Sequence, residues 1–155
     1  MCIRDSSSAT GGSGIFYIIA NPNNPQEIYA ISDIGSVFRS SNGGADWNNL
    51  HFKQLVGNRH GFIQFTNDPM IMYALHANFE FGQNILKKST DGGITWECLD
   101  ASCPRFSYLH LSADPNSSQR ILFADKDHLY FSTDGGETIN TSYVCLLYTS
   151  DAADE

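Results

Sequence analysis

The sequence predicts an all-β chain, a fragment of a β-propeller with about three four-stranded antiparallel blades, and three observations carry that prediction. The first is a turn motif that occurs three times, as Ser40-Ser41-Asn42-Gly43-Gly44-Ala45-Asp46-Trp47, as Ser89-Thr90-Asp91-Gly92-Gly93-Ile94-Thr95-Trp96, and from Ser132 through Ile139. Its third residue recurs after 49 and then 43 residues, close to the period of propeller blades. The second is an Asx-Pro pair that keeps the same beat: Asn21-Pro22, Asp68-Pro69 and Asp114-Pro115, each ahead of a short apolar run. The third is that no stretch sustains a 3.6-residue apolar period, so almost no helix is expected.

Each repeat reads as strand, turn, strand, connector, strand, hairpin, strand. Proline cannot donate to a sheet ladder and the residue before it avoids the helical region, so each Asx-Pro marks a turn. The first blade (residues 11–50) takes strands at Ile15–Ala20, Ile28–Ser32, Val37–Ser40 and a short one at Trp47. The second (51–101) takes Gly61–Phe65, Met70–His76, Asn84–Lys88 and Trp96–Leu99. The third (102–143) takes Tyr108–Ser112, Arg120–Ala124, His128–Phe131 and Thr138–Tyr143.

Within the repeated turn, Asp91 or Asp134 can accept backbone N–H bonds while the paired glycines, Gly44, Gly93 and Gly136 among them, supply positive φ without steric cost. Ser40, Ser89 and Ser132 open the motif. Thr95 and Thr138 return the chain to the sheet, and Trp47 and Trp96 would cover the hairpin. The motif thus reads as a structural staple with no reactive group aimed at a ligand. Asn42 for the carboxylate, Asp46 for Thr and Ile139 for Trp are departures. Asn can still close the turn, whereas Ile139 implies either a weaker third hairpin or one whose reading frame is close to the damaged end.

The two ends read differently from the middle. Met1–Ser6 and Cys145–Ser150 can be encoded as reverse complements of one DNA stretch that resembles a transposon-end sequencing adapter. Residues 1–6 and 144–155 are therefore set aside as adapter-like scars around a partial propeller at 7–143. Met1 is then no guide to a leader, and localisation is expected to be extracytoplasmic or secreted. The whole chain carries a net charge of −8. Without the scars eight basic and thirteen acidic side chains remain, a mildly acidic balance that argues against a nucleic-acid partner. No apolar run is long enough to span a bilayer. Cys98 and Cys103 admit either a small loop disulfide or two free thiols. His51, His60, His76, His110 and His128 lack metal-ligand spacing, so neither metal nor cofactor is expected.

The repeated turn over residues 11–143 resembles the Asp-box (BNR-type) superfamily of propellers, which includes sialidases, sortilin-type receptor domains, photosystem assembly factors and twin-propeller xyloglucanase-type glycoside hydrolases. Such a resemblance is specific for fold and poor for function. The first blade, Gly11-Gly12-Ser13-Gly14-Ile15-Phe16 followed by Ile28-Tyr29-Ala30-Ile31-Ser32-Asp33-Ile34-Gly35-Ser36-Val37-Phe38-Arg39, is similar to the opening blade of the xyloglucanase-like group. There a Tyr-Ala-x-x-Asp-x-Gly-Gly-x-Tyr-Arg segment carries a catalytic aspartate, which by position is Asp33; Ser36 and Phe38 depart from that pattern. Glycosidic hydrolysis needs two carboxyl groups. In the resembled enzymes the second comes from the other propeller, and the structural alternative for Asp33 is a turn residue ahead of Gly35. A sialidase reading is weaker, because Arg39, Arg59, Arg105 and Arg120 occupy different repeat positions.

Two further segments suit a ring face: the polar loop Val56–Gly61, and Asn78-Phe79-Glu80-Phe81 with its two aromatics. The leading expectation is a module of an exported bacterial-type protein whose ring face binds a protein or a polysaccharide. The alternative is a piece of a xyloglucanase-like endo-glycosidase. As a molecule, such a fragment is expected to be marginally stable and to associate, because blade faces and strand edges lack their neighbours.

Overall fold

The computed structural model describes residues 14–57, 63–78, 83–99, 103, 105–106, 110–125 and 127–143. The proposed terminal scars, Gly11–Ser13, Asn58–Gly61 and Phe79–Phe81 lie outside the described residues. Among those described there is no helix. Among the described residues thirteen strands form three antiparallel sheets, which are the three blades. The first is β1 (Ile15–Asn21), β2 (Asn24–Ser32), β3 (Val37–Ser40) and β4 (Asn48–Asn49), in that order across the sheet. The second is β5 (Ile63–Phe65), β6 (Met72–Asn78), β7 (Gln83–Ser89) and β8 (Glu97–Cys98), with β9 (Arg105–Phe106) also pairing to β7. The third is β10 (His110–Ala113), β11 (Ile121–Ala124), β12 (His128–Ser132) and β13 (Asn140–Tyr143).

Sequential antiparallel neighbours follow from short turns. At all three Asx-Pro sites the Asx side chain accepts the amide two residues on: Asn23 N–H to Asn21 Oδ1 at 2.9 Å, Met70 N–H to Asp68 Oδ1 at 2.9 Å, and Asn116 N–H to Asp114 Oδ1 at 2.8 Å. This Asx turn mimics a backbone turn and starts the return strand. The fourth strands are shorter than the sequence pattern implied and begin after Trp47, Trp96 and Ile139. At Trp96 the reason is visible. Its backbone N–H donates to Gln54 Oε1 at 2.8 Å, on the connector from the first blade, instead of to the ladder.

The sheets stack face to face, and the apolar core lies between them. Tyr29, Ile31 and Val37 of the first blade meet Ile63, Phe65, Met72, Ala74 and Trp96 of the second. Tyr73, Leu75 and Leu86 on the second blade's other face meet Leu111, Ala113, Ile121 and Phe123 of the third. Phe123 stacks on Tyr130 at 4.9 Å, and Phe106 meets both rings edge-on. Full burial of each such side chain stabilises by roughly 1.5–3 kcal/mol, so the two inter-blade layers are the principal apolar source of stability. Ile139 packs against the second layer, which keeps the third hairpin tied to the core without a tryptophan.

Register makes the blades superimposable. Tyr29 pairs Arg39, Tyr73 pairs Lys88, and Leu122 pairs Phe131. Ile28, Met72 and Ile121 pair Ser40, Ser89 and Ser132. Alternation then places the tyrosine and cation on the face that meets the following blade, and the serine on the face that meets the preceding one.

Gly93 shows how closely the blades approach. It has φ +80°, and a Cβ there would overlap the Tyr29 hydroxyl of the preceding blade and Met72 Cε. Gly44 holds the same turn position at φ +90°, yet the atoms nearest its Cβ would be ordinary contacts at 3.7 and 3.9 Å. Gly44→Ala is therefore expected to cost only the left-handed penalty of about 1–2 kcal/mol, and Gly93→Ala clearly more, because overlap with the preceding blade adds to it. Urea unfolding of the two variants beside the wild type checks the order.

Candidate functional site

Antiparallel alternation sorts the turns into two ends. The Asx-Pro turns and the Gly-Gly turns lie at one end of each sheet. The β2–β3 turn and the β4–β5 connector lie at the other, and there the chain forms a groove of about 470 Å³. Its lining comes from Ile34, Gly35 and Ser36 on the turn, Asn49 on β4, and His51, Phe52 and Val56 on the connector. Ile34 and Phe52 are large exposed apolar side chains, 65% and 66% accessible. His51 stacks on the Phe52 ring at 4.5 Å.

The groove floor is held rigidly. Gly57 N–H donates to Gly35 O at 2.9 Å, and Ala77 N–H donates to Val56 O at 2.8 Å. Lys87 is buried, and its ammonium donates to the carbonyls of Lys53 and Gln54 at 2.9 and 2.6 Å. Burial lowers the Lys87 pKa. His76 Nδ1 accepts the Val56 amide at 3.1 Å. Burial, reinforced by the Lys87 charge, pushes the His76 pKa down to about 4, so at neutral pH the ring is the uncharged acceptor this bond needs. Lys87 and His76 carry no motif in the sequence; only their register on β7 and β6 brings them beneath the connector.

Asp33 lies on the β2–β3 turn immediately before the groove residues. Its backbone N–H donates to Gly14 O at 3.1 Å, which ties the turn to the start of β1. Its Oδ1 is buried and has no hydrogen-bond partner among the described residues. Ser36, the departure from the resembled pattern, donates its N–H to Ser32 Oγ at 3.0 Å and completes the turn around Gly35. Asp33 and the groove thus share one end of the first blade.

The Gly-Gly turns occupy the opposite end. Ser40, Ser89 and Ser132 accept the amides of Gly44, Gly93 and Gly136 at 2.8–2.9 Å and donate to Asn42, Asp91 and Asp134 at 2.7–3.0 Å. Asp91 and Asp134 accept the amides of Thr95 and Thr138 and also their hydroxyls. At Asp91 burial opposes ionisation, but donors from Thr95, Ser89 and Ile94 outweigh it and hold the carboxyl below its ordinary range. At Asp134 the Thr138 hydroxyl and amide and the Ser132 hydroxyl do the same. In the first turn the charge changes places. Asn42 Oδ1 accepts the Asp46 amide at 2.9 Å while Asn42 Nδ2 donates to Asp46 Oδ2 at 2.8 Å. The two substitutions that look like separate departures in the sequence compensate each other. Trp47 and Trp96 fold back over their turns and donate Nε1–H to Gly44 O and Gly93 O at 3.0 and 3.2 Å. The serine, Asx and threonine side chains that build these turns are thus turned inward on the turn itself.

Cys98 and Cys103 form a disulfide with their Cα atoms 5.3 Å apart, which settles the choice the spacing left open. It links the end of β8 to the segment before β9. Among the described residues no three His, Cys, Asp or Glu side chains are placed to hold a metal ion.

No family model matches the chain, and no curated protein matches it in sequence. Solved structures do match in fold. YCF48 from Cyanidioschyzon merolae aligns with a TM-score of 0.62 at 16% identity, over 91% of this chain and 44% of that one. YCF48 bound to D1 peptide aligns with a TM-score of 0.53 at 13% identity, over 81% and 43%. An ancestral GH74 enzyme aligns with a TM-score of 0.64 at 19% identity, over 86% and 18%. This chain therefore spans less than half the length of each and corresponds to part of a larger propeller. At these identities the likeness concerns the fold alone.

The pinned connector yields a pH prediction. His76 is held below its unfolded pKa of about 6.5, so the native state binds fewer protons. Its contribution is complete above about pH 6.5 and is lost as pH falls toward about 4. The expected loss is on the order of 1–2 kcal/mol once solvent screening of the half-buried ring is allowed for. His76→Gln should flatten urea-melt stability across that window and spare the rest of the acid limb.

Proposed function

We propose that this propeller fragment is part of an exported Asp-box protein that binds a polypeptide segment on the ring face formed by the first blade's β2–β3 turn and the 51–57 connector. The observation that carries the reading is the open groove, with Phe52 and Ile34 as exposed apolar anchors on a floor fixed by Lys87 and His76. Rigid apolar anchors beside backbone polar groups suit an extended chain, because binding then costs little ordering of the receptor. A peptide is also the bound partner in the D1-peptide structure of YCF48, whose fold this chain shares. The Cys98–Cys103 disulfide supports an oxidising, extracytoplasmic setting, and a polysaccharide remains the competing ligand for the same face.

The second reading, a glycoside hydrolase fragment, rests on Asp33. Among the described residues its buried Oδ1 has no partner at the ring face, and a catalytic role is one reason a buried polar atom is left unsatisfied; the fold is shared with a GH74 enzyme. The second carboxylate that such chemistry requires would come from another part of the longer protein.

Binding isotherms against a peptide library and xyloglucan oligosaccharides separate the readings. The peptide reading expects Phe52→Ala to weaken the selected peptide by about tenfold, the range of one well-placed anchor, with Asp33→Asn neutral. Retention of oligosaccharides instead, with loss on Asp33→Asn, favours the hydrolase reading.

Reduction supplies a second check. Opening so short a loop should lower stability by about 2 kcal/mol on the chain-entropy model, seen as a lower urea midpoint in reductant. Cys98→Ser/Cys103→Ser should be insensitive to reductant.

A further inference from the structure

The three Gly-Gly turns share one chemistry but occupy two environments. In the second and third, the carbonyl of the first glycine accepts a cation from the preceding blade. Arg39 Nη2 donates to Gly92 O at 3.0 Å, and Lys88 Nζ donates to Gly135 O at 2.9 Å. Each cation lies over the ring of the tyrosine paired with it across the sheet, Arg39 over Tyr29 at 5.9 Å and Lys88 over Tyr73 at 5.7 Å. Tyr29 covers Gly93, and the Tyr73 hydroxyl donates to Ser118 O at 2.7 Å. Tyrosine and cation together form a clasp that seats one blade on the turns of the next, and it occurs twice with the same register.

In the first turn no described residue fills that place. Among the described residues no group donates to Gly43 O, Gly43 is exposed, and a Cβ at Gly44 would meet only Trp47 and Ile28 of its own blade, at ordinary contact distances. On the same sheet face Ile18 is 62% accessible. At the far end of the stack the clasp itself is missing. Leu122 and Phe131 occupy the tyrosine and cation positions in identical register, and both are exposed, at 43% and 39%.

We propose that the first Gly-Gly turn, with the β1 face around Ile18, is a docking surface for a further propeller blade that presents a tyrosine on its second strand and an arginine or lysine opposite it on its third. Gly43 O is the same acceptor that Arg39 and Lys88 reach inside the chain, so the surface continues an interface already built twice. A second copy of this chain is the wrong partner, because its outgoing face carries Leu122 and Phe131, which have no donor for a carbonyl. The two ends of the fragment are thus chemically unlike, the leading end offering a carbonyl acceptor beside the apolar Ile18 and the trailing end offering apolar side chains with no donor.

The test builds the missing clasp on the full-length chain. In Leu122→Tyr/Phe131→Lys the trailing face of one copy should seat on the Gly43 turn of another, a head-to-tail contact. Sedimentation should then show the weight-average mass rising about twofold or more above wild type. Leu122→Tyr/Phe131→Glu, which aims a carboxylate at the carbonyl, should stay at the wild-type mass. Ile18→Glu added to the lysine variant should restore the wild-type mass. All three positions are exposed, and circular dichroism confirms folding; if the double variant does not fold, Phe131→Lys alone carries the same comparison. Equal masses for folded wild-type, lysine and glutamate variants would overturn the proposal, as would association of the lysine variant that Ile18→Glu leaves intact.

Discussion

A serine hydroxyl at the end of each blade's third strand is the contact on which the rest of the structure depends. Ser40, Ser89 and Ser132 are all buried, and each accepts two turn amides, the Asx residue's and the second glycine's, while donating to one Asx side chain. That single group fixes the Gly-Gly turn, and the fixed turn presents a carbonyl outward to the preceding blade. Removing it would leave a buried amide without an acceptor, which costs more than an ordinary hydrogen bond contributes. The hairpin and the inter-blade seam are therefore set by one local geometry.

Because the seam is set at the Gly-Gly end of the sheets, the opposite end is free to vary. The connector 51–57 needs no turn motif there; it is held by Lys87, His76 and Gln54, reaching from the second blade or binding to it. A rigid scaffold carrying a shaped groove away from its staples is the usual division between structure and recognition. Asp33 lies at this variable end with an Oδ1 that has no partner among the described residues, whereas Asp91 and Asp134 are satisfied within their own turns.

Much of this was legible in the sequence because it repeats. Three copies of one turn and three Asx-Pro pairs fix blade number, strand order and the absence of helix among the described residues. The ends of the fourth strands were less legible, since a long-range bond from Trp96 to Gln54 takes the amide that local pattern assigns to the ladder. The compensation of Asn42 by Asp46 could have been read from the loss of Thr and the loss of Asp within one turn. The groove could not. Lys87 looks like one of two solvated lysines, and only register separates it from Lys88, one buried beneath the connector and the other clasping the next blade.

The central claim is that the second and third Gly-Gly turns are each stabilised jointly by their own serine and by the cation of the preceding blade. A double-mutant cycle between Ser132→Ala and Lys88→Met, read by urea unfolding, measures this directly. Methionine keeps the lysine stem and removes the ammonium that donates to Gly135 O and lies over the Tyr73 ring. The account predicts a coupling energy of about 0.5 kcal/mol or more, because a loosened turn no longer holds the carbonyl in place. Strict additivity would contradict it and would make hairpin and seam independent.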